Sequence, residues 1–357
     1  GRSAKQRKGQ NLMPSAASQF SVSTIPIGML HVPINTILAA PPQWRQSLQL
    51  PSPTRADAEI VGSVFPPRER SGLWDEGFPS LAGTQAEIVE MTECCRRLSF
   101  FPILLDRTLA EAQLYLRHGF DAVLIENVAA PYFARDWHPF VIYGVLDAIA
   151  QAVREQLKLS TVGIQVLAFA DNWGMDIAVR RHLDFIRCES ALFEGVRPEG
   201  RTPNQGNLAK LYMARNQLMT LLGKNGDGPR VYVDVQKKHT VFAPEIDSLD
   251  LWLKNILFQK LEGVIITGKA TGQPVEEENI RQARNAIEKA RADSLASLGA
   301  TWSPQLIVGS GASMDNISMC KRYADAVIVG SALKKNGYWE NSLDEDRVKR
   351  FMEAWNG

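Results

Sequence analysis

Two short stretches near the end of the chain combine glycine and serine in a way that suits anion binding. Leu306-Ile307-Val308 runs into Gly309-Ser310-Gly311, and Ala326-Val327-Ile328-Val329 runs into Gly330-Ser331. Glycine at a strand end lets backbone N–H groups approach an anion without a Cβ in the way. Two such ends, with Asp315-Asn316 and a helical interval between them, predict a phosphate site. The alternative is that the glycines only relieve crowding where strands turn into helices.

The richest group of acid–base side chains follows a third β-branched run, Arg230 to Gln236. Period-2 alternation places Asp234, Gln236 and Lys238 on one face of this strand, and His239 comes just after. A carboxylate, an ammonium and an imidazole so close together could serve general acid–base chemistry or bind an anionic sugar. The alternative is a buried structural ion pair with Lys237 solvated outside.

Further polar residues end other predicted strands. Glu126 and Asn127 could accept a sugar hydroxyl or act as a base, or could only cap the following loop. Arg187 could clamp a second anionic group. His31 and Thr267 complete the predicted pocket, although a lone histidine is more often a hydrogen-bonded core residue.

We predict no metal and no cofactor for this site. Candidate metal ligands are too dispersed along the chain, and His118, His138 and His182 fall on predicted helices. The chain contains no Walker loop, no GxSxG, and no GxGxxG following a strand.

The elements that must position these residues alternate along the chain. Eight β-branched runs, interspersed with helical segments, begin near residues 25, 122, 162, 185, 230, 263, 306 and 326. Such alternation leaves a closed barrel or an open doubly wound sheet. Polar residues at nearly every strand end favour a (β/α)8 barrel, whose site is built there and whose last two strand loops often bind phosphate. Phe100 to Leu105 is the weakest part of this assignment, because it could be a strand rather than the start of a helix.

The chain has 357 residues, 45% hydrophobic and 22% charged, with net charge +1 and four cysteines. We therefore predict one barrel over residues 25–357, in a reducing interior without disulfides, and no transmembrane segment. The near-neutral balance makes nucleic acid an unlikely partner, except through the tail or within an assembly. Residues 1–24 form a basic tail, and the first 56 residues contain no Asp or Glu.

An N-terminal segment without acidic residues is typical of organelle transit peptides. We therefore expect the protein to be located in the matrix of a mitochondrion or the stroma of a plastid, and otherwise in the cytoplasm. The alternative is an ordinary basic tail.

A proline-rich insertion, about 33–101, follows the first strand, and its prolines exclude regular helix for most of its length. Within it, Thr84 and Glu87 form a capping box that predicts a helix to about Leu98.

Taken together, these motifs resemble the BtpA/SgcQ family of ribulose-phosphate-binding-type barrels. The resemblance covers about Ile25 to Phe351 outside the insertion, and is carried by Ile27-Gly28-Met29-Leu30-His31, Glu126-Asn127, Asp234-Val-Gln-Lys-Lys238-His239, and the two Gly-Ser ends. It implies a (β/α)8 barrel that binds a phosphorylated small molecule. Members of the family are linked to photosystem I biogenesis or to sugar-metabolism operons.

Several positions depart from the family's pattern. Ala129-Ala130 stand where the family has an acidic residue, Leu167-Ala168-Phe169-Ala170 replace Leu-Arg-Asn-Asp, Asn204 replaces the aspartate before Gln205-Gly206, and Arg187-Cys188-Glu189 replace Arg-x-Asn. These changes bear on catalysis more than on ligand binding, so whether the chain is an enzyme stays open.

Two functions are therefore expected. The first is binding of a phosphosugar or nucleotide-sugar, with Asp234, Lys238, His239 and Glu126 around the reacting carbons. The second is a catalytically degenerate structural or assembly subunit of a large organellar complex, which would contact protein partners through the tail and the insertion.

Overall fold

A computed structural model describes most of the chain outside the N-terminal tail. The described residues are 24–39, 42–47, 49–64, 85–127, 139–158, 160–168, 170–189, 191–197, 200–201, 208–237, 239–268, 274–298, 302–339 and 341–357. Residues 1–23 of the tail, Thr84, His138, Lys238 and the family departures at 129–130, 169 and 204–206 lie outside these residues.

Eight parallel strands close into a barrel. They are β1 (Ile25–His31), β2 (Ala122–Glu126), β3 (Thr161–Gln165), β4 (Phe185–Cys188), β5 (Arg230–Val235), β6 (Gly263–Ile266), β7 (Gln305–Val308) and β8 (Ala326–Val329). Each strand pairs with its neighbours in sequence, and β1 closes the barrel by pairing with β8. The predicted (β/α)8 barrel and its eight strands are confirmed. A short antiparallel ribbon, Val196–Arg197 with Gly200–Arg201, was not predicted.

Alternate residues of the strands fill the barrel interior. Ile27, Leu124, Phe185, Tyr232 and Ile328 belong to one buried cluster, which is separate from the larger core between the sheet and the helices. Gly163 leaves the space that Phe185 needs, because a Cβ at residue 163 would lie 2.3 Å from its ring. The same alternation brings the next inward residues to the carboxyl ends of the strands.

Twelve α-helices are described. They are α1 (Ile34–Ala39), α2 (Pro42–Ser47), α3 (Arg55–Val64), α4 (Gln85–Arg96), α5 (Phe101–Arg117), α6 (Pro139–Gln156), α7 (Asp171–Arg180), α8 (Leu208–Leu221), α9 (Leu249–Phe258), α10 (Glu277–Leu298), α11 (Ile317–Tyr323) and α12 (Glu345–Asn356). Pro102 lies in the first turn of α5, so the segment from Phe100 begins a helix and is not a strand. No helix in the described part of the chain combines the length and the apolarity that a membrane span needs.

The expectation that proline excludes helix from most of the insertion is wrong. Three helices, α1, α2 and α3, lie in the described part before residue 65. Pro42 is the first residue of α2, and Pro51 and Pro53 precede α3, so none of these prolines falls inside a helix. Proline is tolerated at the first position because no backbone N–H is needed there.

Buried polar contacts join helix α4 of the insertion to the helices that surround the barrel. Thr92 on α4 donates its hydroxyl to Asp147 Oδ2 on α6 at 2.8 Å, and Arg181 Nε donates to Asp147 Oδ1 at 2.7 Å. Next to this pair, the Tyr143 hydroxyl donates to Asp176, which also pairs with Arg180 at 2.9 Å. We call these six side chains the helix-layer network.

Candidate active site at the carboxyl ends of the strands

Three neighbouring strands end in polar residues at one level of the barrel. His31 pairs in register with Glu126, and Glu126 pairs in register with Gln165. All three side chains are buried. Because Met29 and Leu124, two residues earlier, belong to the cluster inside the barrel, His31 and Glu126 also face its interior.

At the carboxyl ends of the strands, which we call the mouth of the barrel, Arg187 on β4 forms a buried ion pair with Asp234 on β5. Its Nε lies 3.1 Å and 3.2 Å from the two carboxylate oxygens of Asp234, and its Nη2 donates to Oδ1 at 2.8 Å. Nη2 also donates to the carbonyl of Gly309 at 3.0 Å. The guanidinium therefore fixes Asp234 and supports the first glycine loop from inside the barrel.

Lys237 joins the remaining carboxylates into one network. Its Nζ lies 2.9 Å from Asp234 Oδ2 and 3.2 Å from Glu189 Oε1, and its side chain is only 6% exposed. In the amide orientation that gives both polar atoms a partner, Gln165 accepts from Lys237 Nζ at 3.1 Å and donates to Glu126 Oε1 at 3.0 Å. We call the six residues Glu126, Gln165, Arg187, Glu189, Asp234 and Lys237 the mouth network.

The ion pairs keep Asp234 and Arg187 charged. Burial alone would raise the pKa of Asp234, but the charges and hydrogen bonds of Arg187 and Lys237 outweigh burial and lower it below its usual value. Burial would lower the pKa of Arg187, but Asp234, Glu126 and Glu189 raise it. Neither group is therefore a proton donor or acceptor near neutral pH.

His31 links this network to the second glycine loop. Its Nδ1 lies 3.2 Å from the carbonyl oxygen of Trp339, which can only accept a hydrogen bond, so we assign the ring proton to Nδ1. Nε2 lies 3.9 Å from Glu126 Oε2. A Cβ on Gly330 would lie 3.4 Å from the same nitrogen. The His31 imidazole, the Glu126 carboxylate and the second glycine loop therefore lie next to one another.

The two Gly-Ser loops lie on the other side of the mouth. Asn316 folds the first loop, because its Nδ2 donates to the Gly311 carbonyl at 2.7 Å and its Oδ1 accepts from the Ser313 N–H at 2.8 Å. Gly311 has φ +104°, which favours glycine. In the described part of the chain, the backbone N–H groups of Gly311 and Ser331 donate to no other described backbone group.

Crowding also explains part of the glycine pattern. A Cβ on Gly309 would lie 2.8 Å from Cβ of Ile328, and one on Gly330 would lie 3.2 Å from Sδ of Met29. Packing inside the barrel therefore requires glycine at residue 309, and at residue 330 it favours glycine unless Met29 shifts by a few tenths of an ångström, whether or not an anion binds. Gly311 and Ser331 are the positions that packing does not explain in this way.

The structure does not bring all the predicted site residues together. Gln236 leaves the strand with φ +47° and donates to Asp247 at 2.8 Å, so the period-2 alternation of β5 stops before it, and Lys238 lies outside the described residues. Lys237 is buried, which contradicts the interpretation that left it in solvent. His239 is exposed, and Thr267 is half-buried after β6. Asn127 makes two 2.6 Å hydrogen bonds to the backbone of Leu167, so it ties two strand ends together.

Besides Lys237, two members of the mouth network were missed as site residues, Gln165 and Glu189. Gln165 is a polar residue inside an otherwise apolar buried strand, and counting alternate positions from Gly163 would have placed it inward. Glu189 stands two residues after Arg187 on the same alternation, beyond the end of β4. Its backbone N–H donates to Asp171 Oδ1 at 3.0 Å, so a fourth carboxylate lies at this end of the barrel.

The closed parallel barrel, with polar side chains gathered at the carboxyl ends of its strands, defines a (β/α)8 barrel protein with a candidate site at the end where such barrels carry their sites. The model of the BtpA family matches residues 99–357, and the chain belongs to this family.

Similar proteins are found in distant organisms. The Caenorhabditis elegans protein F13E9.13, whose name describes it as mitochondrial, is 27% identical over 283 residues, which cover 78% of this chain and 90% of that protein. The photosystem I biogenesis protein BtpA of Synechocystis is 27% identical over 259 residues, which cover 70% of this chain and 79% of that protein.

Solved structures share only the general architecture. KGPDC from Streptococcus mutans in complex with D-ribose 5-phosphate covers 71% of this chain and 92% of its own, with 12% identity and TM-score 0.43. Phosphoribosyl anthranilate isomerase from Thermus thermophilus covers 69% and 92%, with 10% identity and TM-score 0.39. Likenesses this distant say nothing about the chemistry of this chain.

Proposed function

We propose that this chain binds a phosphorylated small molecule of the phosphosugar or nucleotide-sugar type, with its phosphate at the loops after β7 and β8. The observation that carries the proposal is that the two glycine loops and the mouth network adjoin each other. Arg187 donates to the carbonyl of Gly309 at 3.0 Å, and His31 lies against Gly330. One ligand can therefore contact backbone N–H groups and inward side chains together.

The phosphate contacts come from Ser310 and Gly311 on one loop and from Gly330 and Ser331 on the other, whereas the Gly309 N–H already donates to the Ile266 carbonyl at 3.0 Å. Backbone N–H groups of this kind bind anions without a cationic side chain. The remainder of the ligand extends over Glu126 and His31, whose carboxylate and imidazole lie 3.9 Å apart. This pair is the best placed of the described groups for proton transfer, since Asp234 is held ionised by two cations.

Charge substitution at Ser331 tests the phosphate position. Ser331→Asp places a carboxylate where we put the phosphate, and Ser331→Asn is the matched uncharged control. With phosphate or ribose 5-phosphate near 100 Kd, wild type and Ser331→Asn should gain about 2.7 kcal/mol of stability in thermal unfolding. Ser331→Asp should gain almost none. Equal stabilisation of Ser331→Asp, or no stabilisation of folded wild type at millimolar ligand, contradicts the proposal.

A second candidate function is that of a structural or assembly subunit. The name of the Synechocystis relative, photosystem I biogenesis protein, favours it, and the insertion with the N-terminal tail would supply the contact surfaces. Size-exclusion chromatography of native extract separates the two functions. Migration only as a free monomer or dimer would count against a stable assembly role.

We place the protein in an organelle. The acid-free basic lead and the mitochondrial name of the Caenorhabditis elegans relative both support this location. A fluorescent fusion that stays diffuse in the cytoplasm would contradict it.

A further inference from the structure

A buried ion pair outside the mouth network and the helix-layer network joins Lys334, just after the second glycine loop, to Glu111 on α5. Lys334 Nζ donates to Glu111 Oε2 at 2.9 Å, and the lysine side chain is completely buried. Among the described side chains, Glu111 supplies the only hydrogen-bond acceptor of this ammonium group. Burial lowers the pKa of Lys334, and the charge of Glu111 opposes that effect. An apolar residue would avoid this desolvation, so packing alone does not explain the lysine.

The pair is the buried anchor of a segment that is otherwise open to solvent. Leu333 and Lys334 are buried, whereas residues 335–338 are all exposed. The second oxygen of Glu111, Oε1, makes no hydrogen bond in the described part of the chain, and Arg107 Nε lies 3.7 Å from it. The contact with Lys334 is therefore the main polar bond that ties this segment to α5.

Backbone hydrogen bonds couple Lys334 to the second glycine loop. Its N–H donates to the Ser331 carbonyl at 3.0 Å, and the Leu333 N–H donates to the Gly330 carbonyl at 3.0 Å. Ser331–Leu333 form a single 3-10 turn between the loop and the lysine. Because so short a turn moves together with its anchor, the position of Lys334 determines where the loop presents its backbone N–H groups.

The chain beyond Lys334 returns to the mouth of the barrel. The Gly337 N–H donates to the Lys334 carbonyl at 3.0 Å, and two residues later the Trp339 carbonyl lies 3.2 Å from His31 Nδ1. On the other side of Lys334, a Cβ on Gly330 would lie 3.4 Å from His31 Nε2. The anchored segment therefore contacts both ring nitrogens of His31, one before the lysine and one after it.

We propose that Lys334 and Glu111 are positioning residues of the ligand site. Their ion pair holds the second glycine loop where it receives the phosphate, and it holds the Trp339 carbonyl against His31. Neither side chain touches the ligand. The first half of this inference rests on the proposed phosphate site, whereas the orientation of His31 requires no ligand.

The double variant Lys334→Met/Glu111→Met tests the inference, because it removes both charges and leaves neither one buried alone. Apolar replacement of a buried ion pair is often neutral for stability, so urea unfolding should stay close to wild type. An apolar contact lacks the direction of a charged hydrogen bond, so the loop should shift. Affinity for ribose 5-phosphate in calorimetric titration should fall on the order of tenfold, because a misplacement of about 1 Å in a site can cost about a hundredfold in rate.

Two single variants separate positioning from stability. Lys334→Met leaves the Glu111 carboxylate buried without its cation, and Arg181→Met does the same to Asp147 in the helix-layer network. Both should lose stability. Under conditions in which circular dichroism shows both to be fully folded, only Lys334→Met should bind ribose 5-phosphate more weakly. Glu111→Gln, which preserves the shape of the side chain, should show a smaller loss of affinity and replaces the double variant if that one does not fold.

Nitrogen NMR of the imidazole rings gives a readout without ligand. The chain has five histidines, and His31→Gln assigns the signals of His31 among them. In wild type, the Nδ1 and Nε2 shifts of His31 should be those of one tautomer, protonated at Nδ1. In the double variant the two shifts should move towards each other, because the Trp339 carbonyl no longer fixes the ring proton.

The outcomes distinguish this inference from the site on which its first half rests. Wild-type affinity in the folded double variant overturns the positioning of the loop, and so does an equal loss of affinity in Arg181→Met. Unchanged His31 signals overturn the positioning of the ring. If folded wild type binds neither inorganic phosphate nor ribose 5-phosphate, the phosphate site fails and the first half with it, while altered His31 signals still support the second half.

Discussion

Buried charges form two networks in this molecule, one inside the mouth of the barrel and one between its outer helices. Both contain aspartates of at most 2% exposure that pair with arginine, Asp234 in the mouth and Asp147 and Asp176 in the helix layer. Their local chemistry is nearly the same. They differ in what surrounds them, since the helix-layer network joins α4, α6 and α7, whereas the mouth network adjoins two glycine loops.

The comparison shows that burial of charge does not by itself mark a binding site. Asp147 is completely buried and paired, yet its partners belong to packed helices and to the insertion. What sets the mouth network apart is its position at the carboxyl ends of parallel strands, next to backbone N–H groups. We therefore expect mutations in the helix-layer network to change stability alone, and mutations in the mouth network to change both stability and ligand binding.

The largest effect is expected from Arg187→Met. This change leaves the carboxylate of Asp234 buried and removes its closest cation, and breaking a buried pair in this way costs about 3–5 kcal/mol. Urea unfolding should show this loss. The exposed pair of Arg281 with Glu278 offers the control, since Arg281→Met should be almost neutral. A cost for Arg187→Met no larger than that of the control would show that the mouth pair does not stabilise the fold.

The contributions of Asp234 and Asp176 to the free energy of unfolding should change with pH in opposite directions. The pKa of Asp234 is lowered, so its stabilising contribution is present above its unfolded pKa near 3.9 and is lost as pH falls through the lower folded value. Burial raises the pKa of Asp176 by more than Arg180 and Tyr143 lower it, so its ionised form is disfavoured by folding. Its contribution therefore falls as pH rises above about 3.9.

Unfolding free energies of Asp234→Asn and Asp176→Asn, measured across the acid range, test this contrast. The deficit of Asp234→Asn relative to wild type should grow as pH rises towards about 4. The deficit of Asp176→Asn should shrink as pH rises beyond that value. Parallel pH profiles for the two variants would contradict the assigned directions.

The smallest effect is expected from Thr92→Val. This variant removes one buried hydrogen bond to Asp147 while keeping the shape of the side chain, which costs about 1–2 kcal/mol. Affinity for ribose 5-phosphate should stay at the wild-type value, because Thr92 belongs to the helix-layer network. If Thr92→Val folds as the wild type does but binds ribose 5-phosphate more weakly, the insertion contributes to the site.

Most of the fold follows from local patterns in the sequence. Short β-branched runs between helical segments predict the eight strands, because a strand buried on both faces has an apolar run as its sequence signature. The helices of the insertion were not predicted, because the number of prolines was considered and not their position relative to a helix. Pro42 is the first residue of a helix, where proline is tolerated, whereas a proline in the helix interior would break it.

The site was predictable as far as it depends on strand alternation. His31, Glu126, Arg187 and Asp234 stand at inward positions, but the pairing of Arg187 with Asp234 joins residues 47 apart and has no local signal. The inward, buried position of Lys237 was not predicted for a related reason. The left-handed φ of Gln236 ends the alternation, and a non-glycine residue gives little warning of such a turn.

A crystal structure of the full chain grown with ribose 5-phosphate tests the central claim most directly. We predict the phosphate within hydrogen-bond distance of the backbone N–H groups of Gly311 and Ser331, with the sugar hydroxyls towards Glu126 and His31, and with the Arg187–Asp234 pair intact. A phosphate bound instead to Arg187 or Lys237, with that pair broken, would contradict the proposed phosphate site.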